Sequence, residues 1–344
     1  MFHKIPAAFL TLILTLIPLS GFAGENLVLY TSVKEPLIGN LMRAFQNKYP
    51  SIAVNYQISG SIGISERIME EYKAGDIKAD LVWTSALHRF YAMEKQGLFE
   101  PYLSPAAPET FNALRGSQGY FSPTRFITLA IAYNTDLVKE APQEWSDIFD
   151  PEFYNAFGVA DPAISGTSFA ALSLLVNRFG WDFVERFAAN LSHVSADAET
   201  VVDETARGKL KACLAATYIV RERISKGAPL ALAYPPEMLL LPTPIAIFAQ
   251  SPNLDAAKQL VDFLLSREAQ TIIAMEGSLP VRLDVTTPAH YNLPSPQEAL
   301  SRAILGDYIA FAERRVEILT KFAEIMRRRG QTSKVEFNAR HLTR

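Results

Sequence analysis

A chain of 344 residues with 49% hydrophobic and 20% charged side chains has apolar material for more than one core, which excludes a disordered or fibrous chain. A formal net charge of −3 excludes the strongly basic surface that nucleic-acid binding needs. The single cysteine, Cys213, excludes an intramolecular disulfide and a cysteine metal cluster; set in LKACLAATY, it reads as a packing residue.

The first element is an address. MFHKIPAAFLTLILTLIPLSGFAGEN combines Lys4, an apolar run from Ile5 to Leu19, and small residues Gly21 and Ala23, which predicts a secretory signal peptide cleaved after Ala23 and a periplasmic protein. The apolar run is shorter than the ~20 residues a membrane span needs. Farther on, PLALAYPPEMLLLPTPIAIFA comes nearest to a span, but five prolines interrupt it.

NLVLYTSV predicts a strand, and PLIGNLMRAFQNKYP has helical spacing at Leu37, Leu41 and Phe45, closed by Pro50. IAVNYQI alternates as a strand; SGSIG reads as a turn and ISERIMEEYKAG as a helix ending at Gly75. ADLVWTS is a short strand, and ALHRFYAMEKQGLFEPY a helix stopping near Gly97. Alternation in units of about 30 residues is the pattern of βαβ crossovers and a mostly parallel sheet. Ligands of such sheets sit at the carboxyl ends of the strands, here Thr31-Ser32, Ser59-Gly60-Ser61 and Thr84-Ser85.

Arg125 to Tyr133 is a β-type run, after which WSDIFDPEFYNAFGVADPAISGT opens a second strand-to-helix series. In DPAISGTSFAAL, Asp161 to Leu172, the hydroxyl residues are good N-caps, the glycine permits close backbone approach, and FAALSLLVNRF has helical period. Such a start offers orphan N–H groups and a positive dipole to an anion, and is equally the start of an ordinary capped helix. GWDFVERFAANL reads as a helix, the acidic run in HVSADAETVVDETARGKL as a solvated face, and KACLAATYI as a strand carrying Tyr218. A strand-rich crossing from Pro229 to Ala249, helices in NLDAAKQLVDFLLSREAQTIIAMEG, and a long amphipathic helical region from Gln297 to Arg329 complete the chain. The order predicts an α/β fold of two lobes joined by two extended crossings that act as a hinge. The expected division is a signal peptide (1–23), the first part of lobe 1 (24–127), an inserted lobe 2 (128–242), and a return to lobe 1 with C-terminal helices (243–344).

Taken in register, YTSVKEP, KADLVWTSA, IAYNTDLV, DPAISGTSFAAL, TARGKLKACLA, GAPLALAYPPE and NLDAAKQLVDFLLSREAQ resemble the extracellular solute-binding proteins of ABC importers. They resemble the branch that holds ferric-iron, phosphonate and sugar-phosphate binders. The resemblance implies a type II periplasmic-binding-protein fold, a permease partner in the inner membrane, a monomer, no cofactor and no chemistry on the cargo.

Iron-binding members of that branch carry paired tyrosines in the second lobe, a histidine near the first strand and an acid after the ADLVWT-like strand. Here Ile219 follows Tyr218, Lys34 stands near the first strand, and Ser85 occupies the place of the acid. These departures argue against hard Fe(III), which favours phenolate and carboxylate oxygens. The residues favour instead a small phosphorylated or phosphonate-type anion, held by hydroxyls and backbone N–H groups. The expected cradle is Ser59, Gly60, Ser61 and Ser85 from one wall and Ser165, Gly166, Thr167 and Ser168 from the other. Thr31, Ser32, Trp83, Arg125, Tyr218 and Glu237 are expected to line the rest, with Arg125 pairing an oxyanion and Glu237 accepting from hydroxyls or an amine. A ferric-iron-binding protein of an ABC importer stays the alternative, and a periplasmic enzyme is the competing class behind it. Its support is thin, because His88, His193, His290 and His341 are scattered without ligand spacing, and Asp197, Glu199, Asp203 and Glu204 read as a solvated run. A ligand sensor would share the same cleft.

Overall fold

The structure is a computed structural model, and it describes residues 25–35, 37–106 and 119–329. The expected signal peptide and His341 lie outside the described residues. Among those residues no helix is long and apolar enough to cross a membrane.

The chain opens with β1 (Glu25–Thr31), α1 (Leu37–Lys48), β2 (Ile52–Ile58), α2 (Ser61–Lys73), β3 (Leu81–Trp83), α3 (Leu87–Lys95) and the short β4 (Phe99–Glu100). A long β5 (Ser122–Asn134) then leads to β6 (Phe157–Ala160), α4 (Gly166–Asn190), β7 (Leu191–Ser195), α5 (Ala198–Ala206), β8 (Ala212–Ala216), α6 (Thr217–Ser225) and β9 (Leu230–Ala233). The second long strand, β10 (Leu239–Phe248), returns the chain to α7 (Leu254–Leu265), α8 (Arg267–Met275) and β11 (Leu279–Pro280). The chain ends in α9 (Pro296–Ser301), α10 (Tyr308–Glu313) and α11 (Arg315–Arg328).

The strands follow the order β2-β1-β3-β10-β5-β8-β6-β7. At one end β1 lies parallel to β2 and β3, at the other β6 lies parallel to β7 and β8, and the antiparallel pair β5/β10 joins the two groups. Both joining strands are buried along almost their whole length, so they read as continuous apolar runs rather than alternating ones. Pro242 and Pro244 are tolerated in β10 because the register shifts between Thr243 and Pro244.

Period-2 alternation splits the first-lobe sheet into two faces. Leu27 and Leu29 of β1 point into one core with Phe45 and Phe263, while Tyr30 and Val28 face the other with Phe90 and Phe248. A third core gathers Ile127, Leu129 and Ile131 of β5 with Phe157, Phe169, Val201 and Ile219. Phe311, Ile318, Leu319, Phe322 and Met326 also join this second-lobe core. Helix α11 therefore packs on the second-lobe core, although the chain reaches it only after returning to the first, while Ala299 of α9 belongs to a first-lobe core. Arg328 at the basic end reaches Glu185 of α4 at 3.3 Å, anchoring the last turn.

Two local expectations change. Helix α2 begins at Ser61, because Gly60 takes an extended N-cap conformation and the SGSIG segment is already helical at its second serine. The KACLAATYI strand ends at Ala216, and Tyr218 belongs to the first turn of α6; once β8 has paired with β5, the free N–H groups beyond it continue as a helix. The two helices expected on either side of Gly180 are both present and meet at a kink there, where Gly180 leaves helical geometry at φ 79°. The acid run is not simply the solvated face expected: Asp197 caps α5, and Asp203 and Glu204 pair with Arg223 and Lys209.

Candidate functional site: the cleft between the lobes

The loop before α4 spends most of its polar groups on itself. Asp161 accepts from the Ala163 N–H through Oδ1 at 2.8 Å, Ser165 Oγ accepts from the Ser168 N–H at 3.2 Å, and Ser168 Oγ donates to the Ala160 carbonyl at 2.5 Å. The first N–H groups of α4 and the Thr167 hydroxyl are what remain for a ligand. Gly166 is needed for close approach: a Cβ there would stand 2.6 Å from Ser61 Oγ and 3.2 Å from Ala86 Cβ.

That contact brings three helix starts together. Ser61 is the first residue of α2, Ala86 is the N-cap of α3, and Gly166 is the first residue of α4. Across the same junction Ser85 Oγ and Thr167 Oγ1 are 3.2 Å apart. Three positive dipole ends from two lobes meeting around hydroxyls favour negative charge.

A cavity of about 1180 Å³ is lined by residues of both lobes, among them Lys34, Arg125, Glu199, Tyr218, Tyr234 and Ser278, and by none of the junction residues. Arg125 is 2% exposed, donates from Nη1 to Ser278 Oγ at 3.0 Å, and leaves Nε without a partner. Its guanidinium lies 5.3 Å from the centre of the Tyr218 ring. Burial lowers the proton affinity of Arg125, with the Tyr218 field opposing; the phenol of Tyr218 is raised by burial and pulled back by Arg125. Lys34, on the first lobe, reaches Glu199 on α5 at 3.2 Å, so an ion pair spans the mouth. Arg221 of α6 donates to Tyr234 Oη at 2.5 Å and to the Gly277 carbonyl at 3.2 Å, tying the second lobe to the segment after α8.

A family model described as bacterial extracellular solute-binding protein matches residues 76–310. The chain belongs to that family. This solute-binding protein is 24% identical over 257 residues to a Salmonella typhimurium protein named for 2-aminoethylphosphonate binding in the periplasm, covering 71% of this chain and 74% of the relative. Its fold matches the periplasmic binding protein AfuA from Actinobacillus pleuropneumoniae, solved with fructose-6-phosphate, at TM-score 0.73 and 22% identity, over 88% of this chain and 99% of that one. It also matches iron-bound HitA from Pseudomonas aeruginosa at TM-score 0.71 and 19% identity, over 87% and 99% of the two chains. The likeness to the solved structures is one of fold, the two-lobed type II periplasmic-binding-protein fold.

Within this solute-binding protein the expected site residues fall into three groups. Ser61, Ser85, Gly166 and Thr167 meet at the lobe junction, with Ser165 and Ser168 shaping the α4 start behind them and Ser59 and Gly60 exposed at its edge. Arg125 and Tyr218 line the large cavity. The rest are placed elsewhere or already engaged. Thr31 is fully buried, donating to the Trp83 carbonyl at 2.9 Å and accepting from the Val33 N–H, and Ser32 accepts from the Ser85 N–H at 3.3 Å, so both fix the strand ends. Trp83 is buried in the first-lobe core. Glu237 is a correction: its carboxylate takes Arg178 of α4 at 2.5 Å and its carbonyl accepts from Trp145 Nε1, so it does not line the cavity. Sequence reasoning did not pair Lys34 with Glu199, nor place Ser278, Arg221 and Tyr234 in the cleft. These residues come from segments far apart in the chain, and no local spacing marks them.

Proposed function

We propose that this solute-binding protein captures a small phosphorylated or phosphonate-type organic anion between its lobes and delivers it, as a monomer and without chemical change, to an ABC permease in the inner membrane. The observation that carries the reading is Arg125: a buried guanidinium that lines the cavity and makes no ion pair among the described residues. An oxyanion supplies the charge that such a group lacks. Ligand contacts from both walls stabilise the closed arrangement over the open one, which drives closure. The same guanidinium opposes the iron reading, because it lies 5.3 Å from the centre of the Tyr218 ring and would repel a cation held by that tyrosine.

Native mass spectrometry of protein purified gently from periplasm, with phosphorus and iron assayed on the same sample, tests this. A bound mass of a few hundred daltons carrying phosphorus is expected. One equivalent of iron without an organic phosphate overturns the ligand class and leaves the transport role standing.

A further inference from the structure

A second concentration of positive charge lies where α3, α4 and α11 meet. His88 is 2% exposed and its Nε2 has no partner; Arg315 is 7% exposed with an orphan Nε, and half-buried Arg89 has an orphan Nε as well. Phe169, in the first turns of α4, gathers the group: the His88 ring centre is 4.7 Å from it and the Arg315 guanidinium 5.6 Å. Arg315 Nη2 donates to the Ala163 carbonyl at 3.0 Å, just before α4. None of the three lines the large cavity.

Neither arginine forms an ion pair among the described residues. Burial brings Arg315 down to about 10, with Arg89 adding to the fall, and His88 is pushed well below its usual range by burial and then by both arginines. Glu66 of α2 is the acid whose field reaches both guanidinium groups, and it stands exposed beyond ion-pairing distance. Native folds pair their buried donors, yet among the described residues Nε of Arg89, Nε of Arg315 and Nε2 of His88 have no partner.

We propose that Arg89, Arg315 and His88 form a second oxyanion site, which takes a phosphate- or sulfate-type group on their unmatched guanidinium and imidazole donors. Arginine presents planar paired donors that match such oxygens, and neutral His88 adds an Nε2–H. The half-buried Arg89 side gives the anion its entry. The site joins two lobes, since α3 packs in a first-lobe core while α11 packs on the second-lobe core. An anion held there therefore favours the closed arrangement independently of the transported solute.

Inorganic phosphate is the probe, and the full-length exported protein carrying Thr167→Asp is the background, because that change blocks the cradle with its own carboxylate. Phosphate binding is followed by titration calorimetry and by the rise in thermal midpoint that a ligand specific to the folded state produces. One equivalent is expected to bind Thr167→Asp, weakened tenfold or more by adding Arg89→Gln and likewise by Arg315→Gln. Arg89 is partly exposed, so its variant keeps the test open if Arg315→Gln fails to fold. Absence of phosphate binding in the Thr167→Asp background, or binding unchanged by Arg89→Gln, overturns the second site. Neither result bears on the solute reading, which the mass of the periplasmic ligand decides.

Discussion

Ser85 Oγ, at the end of a first-lobe strand, stands 3.2 Å from Thr167 Oγ1 in the first turn of a second-lobe helix. The contact closes the cleft with two hydroxyls that can each turn toward a bound anion. Thr167→Asp puts a carboxylate among three helix starts, where negative charge is favoured, so the fold is expected to keep its thermal midpoint or gain slightly. Ligand binding is expected to fall by at least about a hundredfold, since the fixed charge occupies the place of the anion. Near-normal affinity by calorimetry would sink the cradle.

Gly166 faces Ser61 so closely that a Cβ would overlap its hydroxyl at 2.6 Å. Its backbone is helical, so Gly166→Ala adds no conformational strain and is expected to leave the open protein stable. The added methyl group holds the lobes apart, and affinity is expected to drop about tenfold, the cost of a modest overpacking clash. Small-angle scattering checks the cause: the ligand-bound variant should stay more extended than the parent, and equal compaction would exclude a closure defect.

Arg125 has no ion pair among the described residues, and burial lowers its proton affinity. Replacing a buried unpaired charge by an apolar group of similar length is neutral or stabilising when nothing depends on the charge. Arg125→Met is therefore expected to keep or raise the denaturation midpoint while affinity for the anion falls roughly 10- to 100-fold, the range of a lost charge-assisted hydrogen bond. A variant that loses stability and retains affinity would mean that Arg125 serves the fold alone.

The Lys34–Glu199 pair at 3.2 Å has both side chains about half exposed. Such pairs contribute roughly 1 kcal/mol or less and are screened by salt. Lys34→Ala is expected to weaken ligand binding less than about fivefold at low ionic strength, with the difference vanishing near 1 M salt. A large, salt-independent loss would place Lys34 in direct contact with the ligand.

Cys213 is fully buried in β8 and its thiol is pushed up to about 12 by burial. Native protein is expected to resist thiol reagents until it unfolds. The folded chain holds the protonated thiol, so this stabilisation is complete below the unfolded value of ~8.5 and is lost as pH climbs toward about 12. Stability of Cys213→Ala should thus fall less steeply between pH 9 and 10 than that of the parent. Parallel curves in urea titrations at those two pH values would contradict it.

The strand and helix order was legible in the sequence because each element carries its own periodicity and punctuation. IAVNYQI alternates, PLIGNLMRAFQNK repeats every three to four residues, and Gly75 and Gly97 adopt the positive φ that ends their helices. The Ser165 cap and the open start of α4 were equally local, since a serine and the N–H three residues on meet within one turn.

What only the tertiary structure decided was which of several similar side chains share a space. Glu237 and Glu199 look alike in sequence, yet one is drawn off by Arg178 on α4 while the other meets Lys34 across the mouth. Arg125 sits in a β-type run that could equally have put it beside an acid; its lack of one became visible only when β5 paired with β10 and β11 and brought Ser278 to its Nη1. Helix α11 has an apolar face in sequence, but only packing shows that it covers the second-lobe core and brings Arg315 to Phe169. Periodicity and caps act within one turn of chain, whereas charge pairing and burial are summed over segments a hundred or more residues apart, which no local pattern encodes.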